Sequence, residues 1–460
     1  MNNSYWLKSG FYTLSEKAAS MLFGFGGAVL LYRAIPSQDE FGVWVLFLSI
    51  VSVIEVGRIG LLQNALVKYL SVEQGDEAGR ITTASFVLNG MLTLLIVLVC
   101  LALSPLAAAV FEAEKLSQLF KIYCLSTIAL IPFYQCNYIQ QANLDFKGIF
   151  WGNFVKGGVL FGFILYLFTE KLPVHLTDLA LVQVAAAVLS SIVSWLFAKK
   201  YAHFSRKIDW AWVGKLFAYG KFVFGTNIST QLYKTVDKLL LGSLGGTAMV
   251  AVYDAAIRIT NLTDVPTSSM ASMLFPQSSR RVQDGNGAVK QLYEKAVGAI
   301  LAFMVPCIIA VLLLADWLIL LTAGKAYSDA ANLLRITIMF GLFLPYAVQF
   351  GTVLDSIGKP KVNFIYTLFS LLLTGLLNLL LIPKMGAKGA AIGTLIAYAI
   401  TFVFMQAYLH RTLKVNPLNP FLHMVDFYGK ILNFVKQKVS GAKLQYSEVA
   451  ILEHEVEEIG

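Results

Sequence analysis

The sequence predicts an all-α polytopic membrane protein, because apolar stretches long enough to cross a bilayer recur along all 460 residues. Hydrophobic residues make up 57% of the chain and charged residues only 14%, whereas a soluble protein carries roughly a quarter charged residues. The hydropathy pattern predicts about twelve transmembrane helices, over residues 11–33, 41–62, 82–108, 117–139, 150–168, 178–198, 216–243, 249–275, 295–321, 331–353, 363–382 and 389–409.

The distribution of basic residues predicts the orientation of these spans. With the amino terminus in the cytoplasm, the inside segments contain more than twice as many Lys and Arg as the outside loops. This asymmetry follows the positive-inside rule and predicts that both termini are cytoplasmic. The net charge of +9 is therefore explained by topology and by contact with membrane lipids, and no nucleic acid partner is expected.

An internal repeat predicts two homologous halves. Three pairs of short matches recur at an offset near 210 residues: FGVW (41–44) with VAVY (250–253), Glu55-Val56-Gly57 with Asp264-Val265-Pro266, and Leu144-Asp145 with Leu354-Asp355. Two halves of six spans each insert in the same orientation, related by a pseudo-two-fold axis along the membrane normal. We therefore predict an amino-terminal lobe over 1–205, a carboxy-terminal lobe over 206–410 and a cytoplasmic tail over 411–460.

The tail contains an amphipathic segment. Met424, Tyr428, Ile431 and Val435 form an apolar stripe at helical spacing, and lysines occupy other faces. This pattern predicts a helix that lies on the anionic inner leaflet.

The seventh predicted span carries charged residues in an otherwise apolar stretch. Six polar residues form one face of this helix, which we call the α7 polar face: Asn227, Thr230, Gln231, Lys234, Asp237 and Lys238. On a helical wheel, the other five lie within about 60° of Lys234. An ion pair to Asp237 accounts for only one of the two lysines. Because intramembrane charges usually face cavities or pathways, the pattern favours a water-filled cavity with a cationic surplus, and therefore an anionic ligand.

Other intramembrane charges allow two interpretations each. Asp254 and Arg258 have the i,i+4 spacing of a local salt bridge, although Arg258 lies at a depth from which it can also reach Asp237. Arg58, Lys156 and Lys221 lie near inner span ends, where long basic side chains reach the interface or line a cavity.

Glu55 and Asp264 occupy equivalent positions in the two halves, each beside a residue that weakens a helix, Gly57 or Pro266. A helix break there predicts a cytoplasmic gate to which both acids belong. The alternative is a role in proton or sodium coupling.

The sequence contains no pattern for bond-breaking chemistry. It has no Gly-rich phosphate loop followed by Lys and Ser or Thr, its five histidines have no metal-ligand spacing, and the predicted outer loops are too short for a catalytic domain. We therefore expect no catalytic residue, no bound metal and no organic cofactor.

Several motifs resemble the Wzx-type polysaccharide-biosynthesis flippases, within the multidrug/oligosaccharidyl-lipid/polysaccharide exporter superfamily. The resemblance extends to about residue 410 and rests on IPSQDEFGVW, EVGRIGLLQNALVKYL, VDKLLLGSLGGTAMVAVYDAAIRI, DVPTSSMASMLFPQSS, LDSIGKPKVNF and NLLLIPKMGAKGAAIGT. It implies two six-helix lobes in a V shape around a central cavity, and transport by alternating access. The implied cargo is an undecaprenyl-diphosphate-linked oligosaccharide for O-antigen, capsule or exopolysaccharide, flipped to the outer leaflet of a bacterial plasma membrane.

For this chain, the resemblance implies specific roles. Lys234 and Lys238 would bind the diphosphate, Asp237 would orient them, and the remaining uncharged residues of the α7 polar face would contact sugar hydroxyls. Arg58 and Arg258 are further candidates for the substrate site. Other membrane proteins of polysaccharide assembly are expected partners.

Two rival functions are separated by sequence features. A drug/cation antiporter of the same superfamily would need an acidic cavity, which the two lysines at 234 and 238 oppose. A membrane glycan polymerase or ligase would need a large outer loop with catalytic residues, and no such loop is predicted.

Overall fold

In a computed structural model, which describes residues 3–35 and 37–439, the chain is helical throughout, without strands in the described part. The α-helices are α1 Asn3–Ala34, α2 Gln38–Leu70, α3 Gly75–Val110, α4 Glu114–Ala142, α5 Phe146–Thr169, α6 Leu176–Ala198, α7 Trp210–Gly245, α8 Thr247–Thr260, α9 Asp264–Arg281, α10 Asn286–Thr322, α11 Ala330–Thr337, α12 Leu344–Ser356, α13 Pro360–Met385, α14 Ala387–Leu413 and α15 Asn419–Val439. The predicted all-α class is confirmed.

Ten helical segments of the described chain are long and apolar enough to cross a membrane, which makes this a multi-pass membrane protein. The seventh and eighth predicted spans are not among them. The seventh span corresponds to α7, whose charged residues lower its hydropathy, and the eighth is divided by a 3₁₀ turn at Asn261–Thr263 into α8 and α9. The layout of twelve spans in two lobes stays a prediction.

The chain packs into two compact units, divided at Val252/Tyr253 inside α8, with Thr322–Gly324 joining the first unit. The repeat places the lobe boundary at 205/206 instead. The difference arises from α7, which packs along α2 and contributes Trp212, Val213 and Leu216 to a buried cluster of the first unit.

Three glycines allow α2 and α7 to approach closely. A β-carbon built on Gly220 of α7 would lie 1.9 Å from the carbonyl oxygen of Leu61. On α2, a β-carbon at Gly57 would lie 3.0 Å from Ile228, and one at Gly60 would lie 2.8 Å from the side-chain nitrogen of Asn227. The helix break predicted near Gly57 is wrong, because α2 is continuous from Gln38 to Leu70. Gly57 serves helix packing instead.

The Gly220→Ala variant is expected to lower the free energy of unfolding by about 1 to 3 kcal/mol, because the added methyl group collides with backbone rather than with a flexible side chain. Thermal unfolding in detergent measures this change. Gly214→Ala on the same helix is the matched control, since a β-carbon there meets nothing within 4 Å. Equal stability of the two variants would contradict the close approach of α2 and α7.

In the second unit, the described part of the tail packs against α10. A β-carbon on Gly298 would lie 2.7 Å from the carbonyl oxygen of Pro420, and Met424 packs against the buried cluster formed by α9, α10, α12 and α14. Tyr428 donates a hydrogen bond to the carbonyl of Ala302. Two members of the predicted leaflet-facing stripe, Met424 and Tyr428, therefore contact protein. The side chains of Ile431 and Val435 and the acidic end 447–460 lie outside the described residues.

The two aspartates of the third repeat match, Asp145 and Asp355, occupy different positions in their helices. Asp145 is the N-cap residue of α5, where its carboxylate accepts the backbone N–H of Lys147 at 3.3 Å. Asp355 lies inside α12 and accepts hydrogen bonds from the Asn363 side chain at 3.1 Å. The two aspartates are therefore not structurally equivalent.

Asp145 also binds residues that follow α6. It accepts hydrogen bonds from Lys200 at 2.8 Å and from the Tyr201 hydroxyl at 3.1 Å. Partial burial by itself raises the pKa of the Asp145 carboxyl, but these hydrogen bonds outweigh it and the pKa lies below its ordinary value of about 3.9. The folded state therefore favours the ionised carboxylate.

Because that pKa is depressed, the stabilisation by Asp145 is present above the unfolded-state pKa and is lost as the pH falls through the folded-state pKa. Asp145→Ala is expected to lower the free energy of unfolding by about 1 kcal/mol at pH 7, the typical cost of losing an N-cap. The difference from wild type should disappear as the pH falls below about 4. Unfolding in detergent at several pH values tests this, with the exposed Asp284→Ala as control. A difference that persists at low pH would contradict it.

Candidate functional site

The α7 polar face lies on one continuous helix of the first unit, as its spacing predicts. Lys234 and Thr230 are exposed, Lys238 is half-buried and Asp237 is buried. An oxygen of Asp237 accepts the backbone N–H of Lys238 at 2.8 Å. The polar face therefore has an accessible side, which carries the ammonium group of Lys234.

The other side of the α7 polar face packs against α2. Gln231 donates a hydrogen bond to the hydroxyl of Ser52 at 2.9 Å, and Asn227 lies against Gly60. These two residues stabilise the contact between the helices, so the polar face is only partly exposed. Two of the six residues therefore contact α2, and the cavity along the rest of this face stays a prediction.

Among the described residues of the first unit, Arg58 is the most deeply buried charge, with a side chain that is 0% exposed. Its guanidinium donates hydrogen bonds to the Asn89 side chain at 3.0 Å, to the hydroxyl and carbonyl of Thr127 at 3.1 Å each, and to the Thr93 hydroxyl. Arg58 does not reach toward the interface as one interpretation expected. It joins α2 to α3 and α4 inside the protein, because the fork of donors on a guanidinium can satisfy several acceptors at once.

Glu55 lies one helical turn before Arg58, with its carboxylate 3.8 Å from the guanidinium. The Tyr123 hydroxyl donates a hydrogen bond to one carboxylate oxygen, and the other oxygen is buried without a hydrogen bond in the described chain. The acid therefore contacts both the Arg58 guanidinium and the Tyr123 hydroxyl.

A second cation, Lys156 of α5, approaches the same region. Its ammonium group lies 3.5 Å from the Tyr134 hydroxyl and 5.0 Å from the centre of the Phe133 ring. The guanidinium of Arg58 lies 5.2 Å from the centre of the Tyr134 ring. We call the connected residues the Arg58 cluster: Glu55, Arg58, Asn89, Thr93, Tyr123, Thr127, Tyr134 and Lys156. With two cations and one acid, it has a positive surplus.

Sequence reasoning singled out Glu55, Arg58 and Lys156 but not the cluster they form. The partners of Arg58 lie on other helices, and nothing in the α2 sequence identifies them. The sequence feature that could have indicated these partners is the presence of polar residues inside the apolar stretches of α3 and α4: Asn89, Thr93 and Thr127.

The remaining predicted site residues lie in the second unit. Arg258 and Asp254 form the local salt bridge, at 2.8 Å, that their spacing predicts. Asp264 begins α9 directly after the 3₁₀ turn at Asn261–Thr263, where a negative charge favours the helix amino terminus. The helix break predicted beside Pro266 therefore exists in this half. Within the described residues, no three His, Cys, Asp or Glu side chains are grouped for a metal ion.

Comparison with known proteins gives a family match. The family model for polysaccharide biosynthesis proteins matches residues 30–332, more than half of the chain. An uncharacterized membrane protein of Methanocaldococcus jannaschii is 28% identical over 259 residues, which cover 54% of this chain and 50% of that protein. The probable low-salt glycan biosynthesis flippase Agl15 of Haloferax volcanii is 23% identical over 201 residues, 44% of this chain and 43% of that protein. The chain spans half or less of the length of these relatives.

The fold is similar to a solved structure over nearly its whole length. The lipid II flippase MurJ in an inward closed conformation superposes with a TM-score of 0.74, covering 97% of this chain and 99% of that chain at 14% identity. At that identity the similarity concerns the fold alone, and it supports the all-helical membrane fold predicted from the sequence.

Proposed function

The chain belongs to the polysaccharide biosynthesis protein family, and we propose that it flips lipid-linked oligosaccharides across a membrane by alternating access. The cargo in this proposal is a polyprenyl-diphosphate-linked repeat unit, with undecaprenyl as the carrier in a bacterial plasma membrane and both termini in the cytoplasm. Other membrane proteins of polysaccharide assembly are its proposed partners. The protein moves its cargo without breaking a bond.

The observation that carries this proposal is the surplus of cations within the helical spans of the first unit. Lys234 is exposed on α7, Arg58 is buried beside the acid Glu55, and Lys156 is half-buried. Charges inside membrane spans usually serve a substrate or ion pathway. A diphosphate is the anion that a lipid-linked glycan presents, and ammonium groups bind it as point charges.

The membrane potential supplies a driving force for this transport. When the inside of the membrane is negative, moving about two negative charges outward is favourable by roughly 4 to 5 kcal/mol per 100 mV. Coupling to protons or sodium ions is therefore not required. If an ion is coupled, Glu55 is the residue we propose for it, because its carboxylate lies between Arg58 and the Tyr123 hydroxyl.

Reconstitution into proteoliposomes tests the proposal. The wild-type protein is expected to move a fluorescent diphosphate-linked oligosaccharide lipid between leaflets and to leave a lipophilic cationic dye where it is. Export of the dye without movement of the glycan lipid would replace this function with that of a drug/cation antiporter. Lengthening of the glycan chain would instead indicate a polymerase.

A further inference from the structure

Two exposed lysines of the first unit lie over a group of three aromatic rings. The ammonium group of Lys68 is 4.4 Å from the centre of the Tyr219 ring, and that of Lys215 is 4.0 Å from the centre of the Trp212 ring. Both ammonium groups lie within 5.4 Å of the centre of the Tyr69 ring. We call these five residues the lysine–aromatic cluster. It gathers two positive charges around one ring.

The rings are fixed by their mutual packing. Tyr69 meets Trp212 edge to face at 5.3 Å and Tyr219 at 6.1 Å between ring centres. The Trp212 indole N–H donates to Glu77, and Trp212 itself is buried. The close approach of Gly220 to α2 lies directly beside Tyr219. The cluster is therefore preorganised on two packed helices.

The carboxylates near this cluster have other partners. Glu77 accepts from Trp212 and lies 3.8 Å from Arg80, while Asp209 caps α7 and lies 3.9 Å from the same arginine. Within the described residues, neither Lys68 nor Lys215 has a carboxylate oxygen within 4.0 Å. In the described part of the chain, the two ammonium groups therefore lie around the Tyr69 ring with no carboxylate at ion-pair distance.

We propose that the lysine–aromatic cluster is a binding site for a phosphate-bearing lipid headgroup, separate from the α7 polar face. A diphosphate carries its charges on the oxygens of two linked phosphates, which suits two ammonium groups near one ring. The partly exposed Tyr219 ring, 36% exposed, offers an apolar face to the first sugar or isoprene unit.

The position of the cluster suits a loading site. Lys68 lies in the last turn of α2 and Lys215 in the second turn of α7, at the ends that the distribution of basic residues places in the cytoplasm. Resting on the proposed function, we assign the cluster to the first capture of the diphosphate-linked lipid from the inner leaflet. The α7 polar face would receive the lipid later, since Lys234 lies about five turns further along α7 than Lys215.

A binding experiment on the full chain tests this assignment. The Lys234→Gln/Lys238→Gln protein, in phosphatidylcholine nanodiscs, provides a background in which the lysine–aromatic cluster is measured alone. Radiolabelled farnesyl diphosphate is the probe, with empty nanodiscs subtracted. Adding Lys68→Gln/Lys215→Gln is expected to weaken binding at least tenfold. The matched control is Lys199→Gln/Lys207→Gln, which removes two exposed lysines on the same predicted side and should change binding less than twofold.

Substitutions of the ring separate a binding role from a general charge effect. Tyr219→Leu should weaken binding several-fold, and Tyr219→Phe should restore it, because only the aromatic face is needed. Unchanged binding in Lys68→Gln/Lys215→Gln, or an equal loss in the control, would overturn the proposal.

Competition with phosphatidylglycerol distinguishes the two sources of the headgroup. If the probe resists a large excess of phosphatidylglycerol, the cluster selects the diphosphate lipid. If phosphatidylglycerol displaces it completely, the site belongs to anionic membrane lipid and the loading role is overturned. Failure of the proposed function looks different: wild-type protein would bind the probe normally and yet move no glycan lipid in proteoliposomes.

Discussion

Arg58→Met is expected to destabilise the protein by about 3 to 5 kcal/mol, the cost of breaking a buried ion pair by removing one partner. The substitution keeps an unbranched side chain, although a shorter one, and leaves the Glu55 carboxylate buried without its cation. It also removes the donors that satisfy Asn89, Thr93 and Thr127, and each buried acceptor left without a partner adds to the loss. Unfolding in a detergent titration measures the change.

A second substitution separates the charge from the packing. Glu55→Gln in the Arg58→Met background should recover part of the lost stability, because it removes the uncompensated negative charge. Arg58→Lys should be intermediate, since an ammonium group keeps the charge but cannot form the guanidinium fork. The control is Arg80→Met, whose side chain is 52% exposed and whose loss should cost less than about 1 kcal/mol. If Arg58→Met unfolds like the control, the buried cluster does not hold α2, α3 and α4 together.

Lys234→Gln/Lys238→Gln is expected to reduce translocation of the glycan lipid by about 100-fold or more while leaving the fold intact. Each charge-assisted contact to the diphosphate contributes about 1.5 to 3 kcal/mol, so losing two accounts for a factor of this size or larger. Lys234 is exposed, so its replacement should change the free energy of unfolding by only about 0.5 kcal/mol. Initial rates in proteoliposomes, normalised to inserted protein, provide the measurement.

The matched control for this pair is Lys221→Gln, an exposed lysine about three and a half turns before Lys234 on the same helix. It should retain most of the transport rate. Equal rates in wild type and the double variant would place the diphosphate site elsewhere, beginning with Arg58 and Arg258.

The fold class could be predicted from the sequence because apolar stretches long enough to cross a bilayer can be recognised without knowing how the helices pack. Most predicted spans lie inside a single helix, but several helices extend well beyond them, as α2 does from the predicted 41–62 to Gln38–Leu70. The effect of Gly57 was less predictable. A glycine weakens a helix in isolation, but here its missing side chain admits Ile228 and Phe224 of α7, and packing keeps α2 continuous.

The candidate site was predictable only in part. The spacing of Lys234 and Lys238 places both on one face of α7, because a helical period fixes that face without reference to other helices. Which part of the face is covered depends on α2, and the sequence of α7 does not contain that information. The interpretation that Arg58 reaches the membrane interface was wrong for the same reason. Its partners Asn89, Thr93 and Thr127 contact it only when three helices pack.

If the protein moves lipids whose glycan is attached through an anionic diphosphate, its translocation rate should depend on that diphosphate. The most direct measurement compares wild-type translocation rates for one oligosaccharide on one polyprenyl chain, joined either by a diphosphate or by an uncharged ether. The cationic surplus on α7 and in the Arg58 cluster predicts rapid movement of the diphosphate lipid and movement of the ether lipid at the rate of protein-free liposomes. Equal protein-dependent rates for the two lipids would contradict the account.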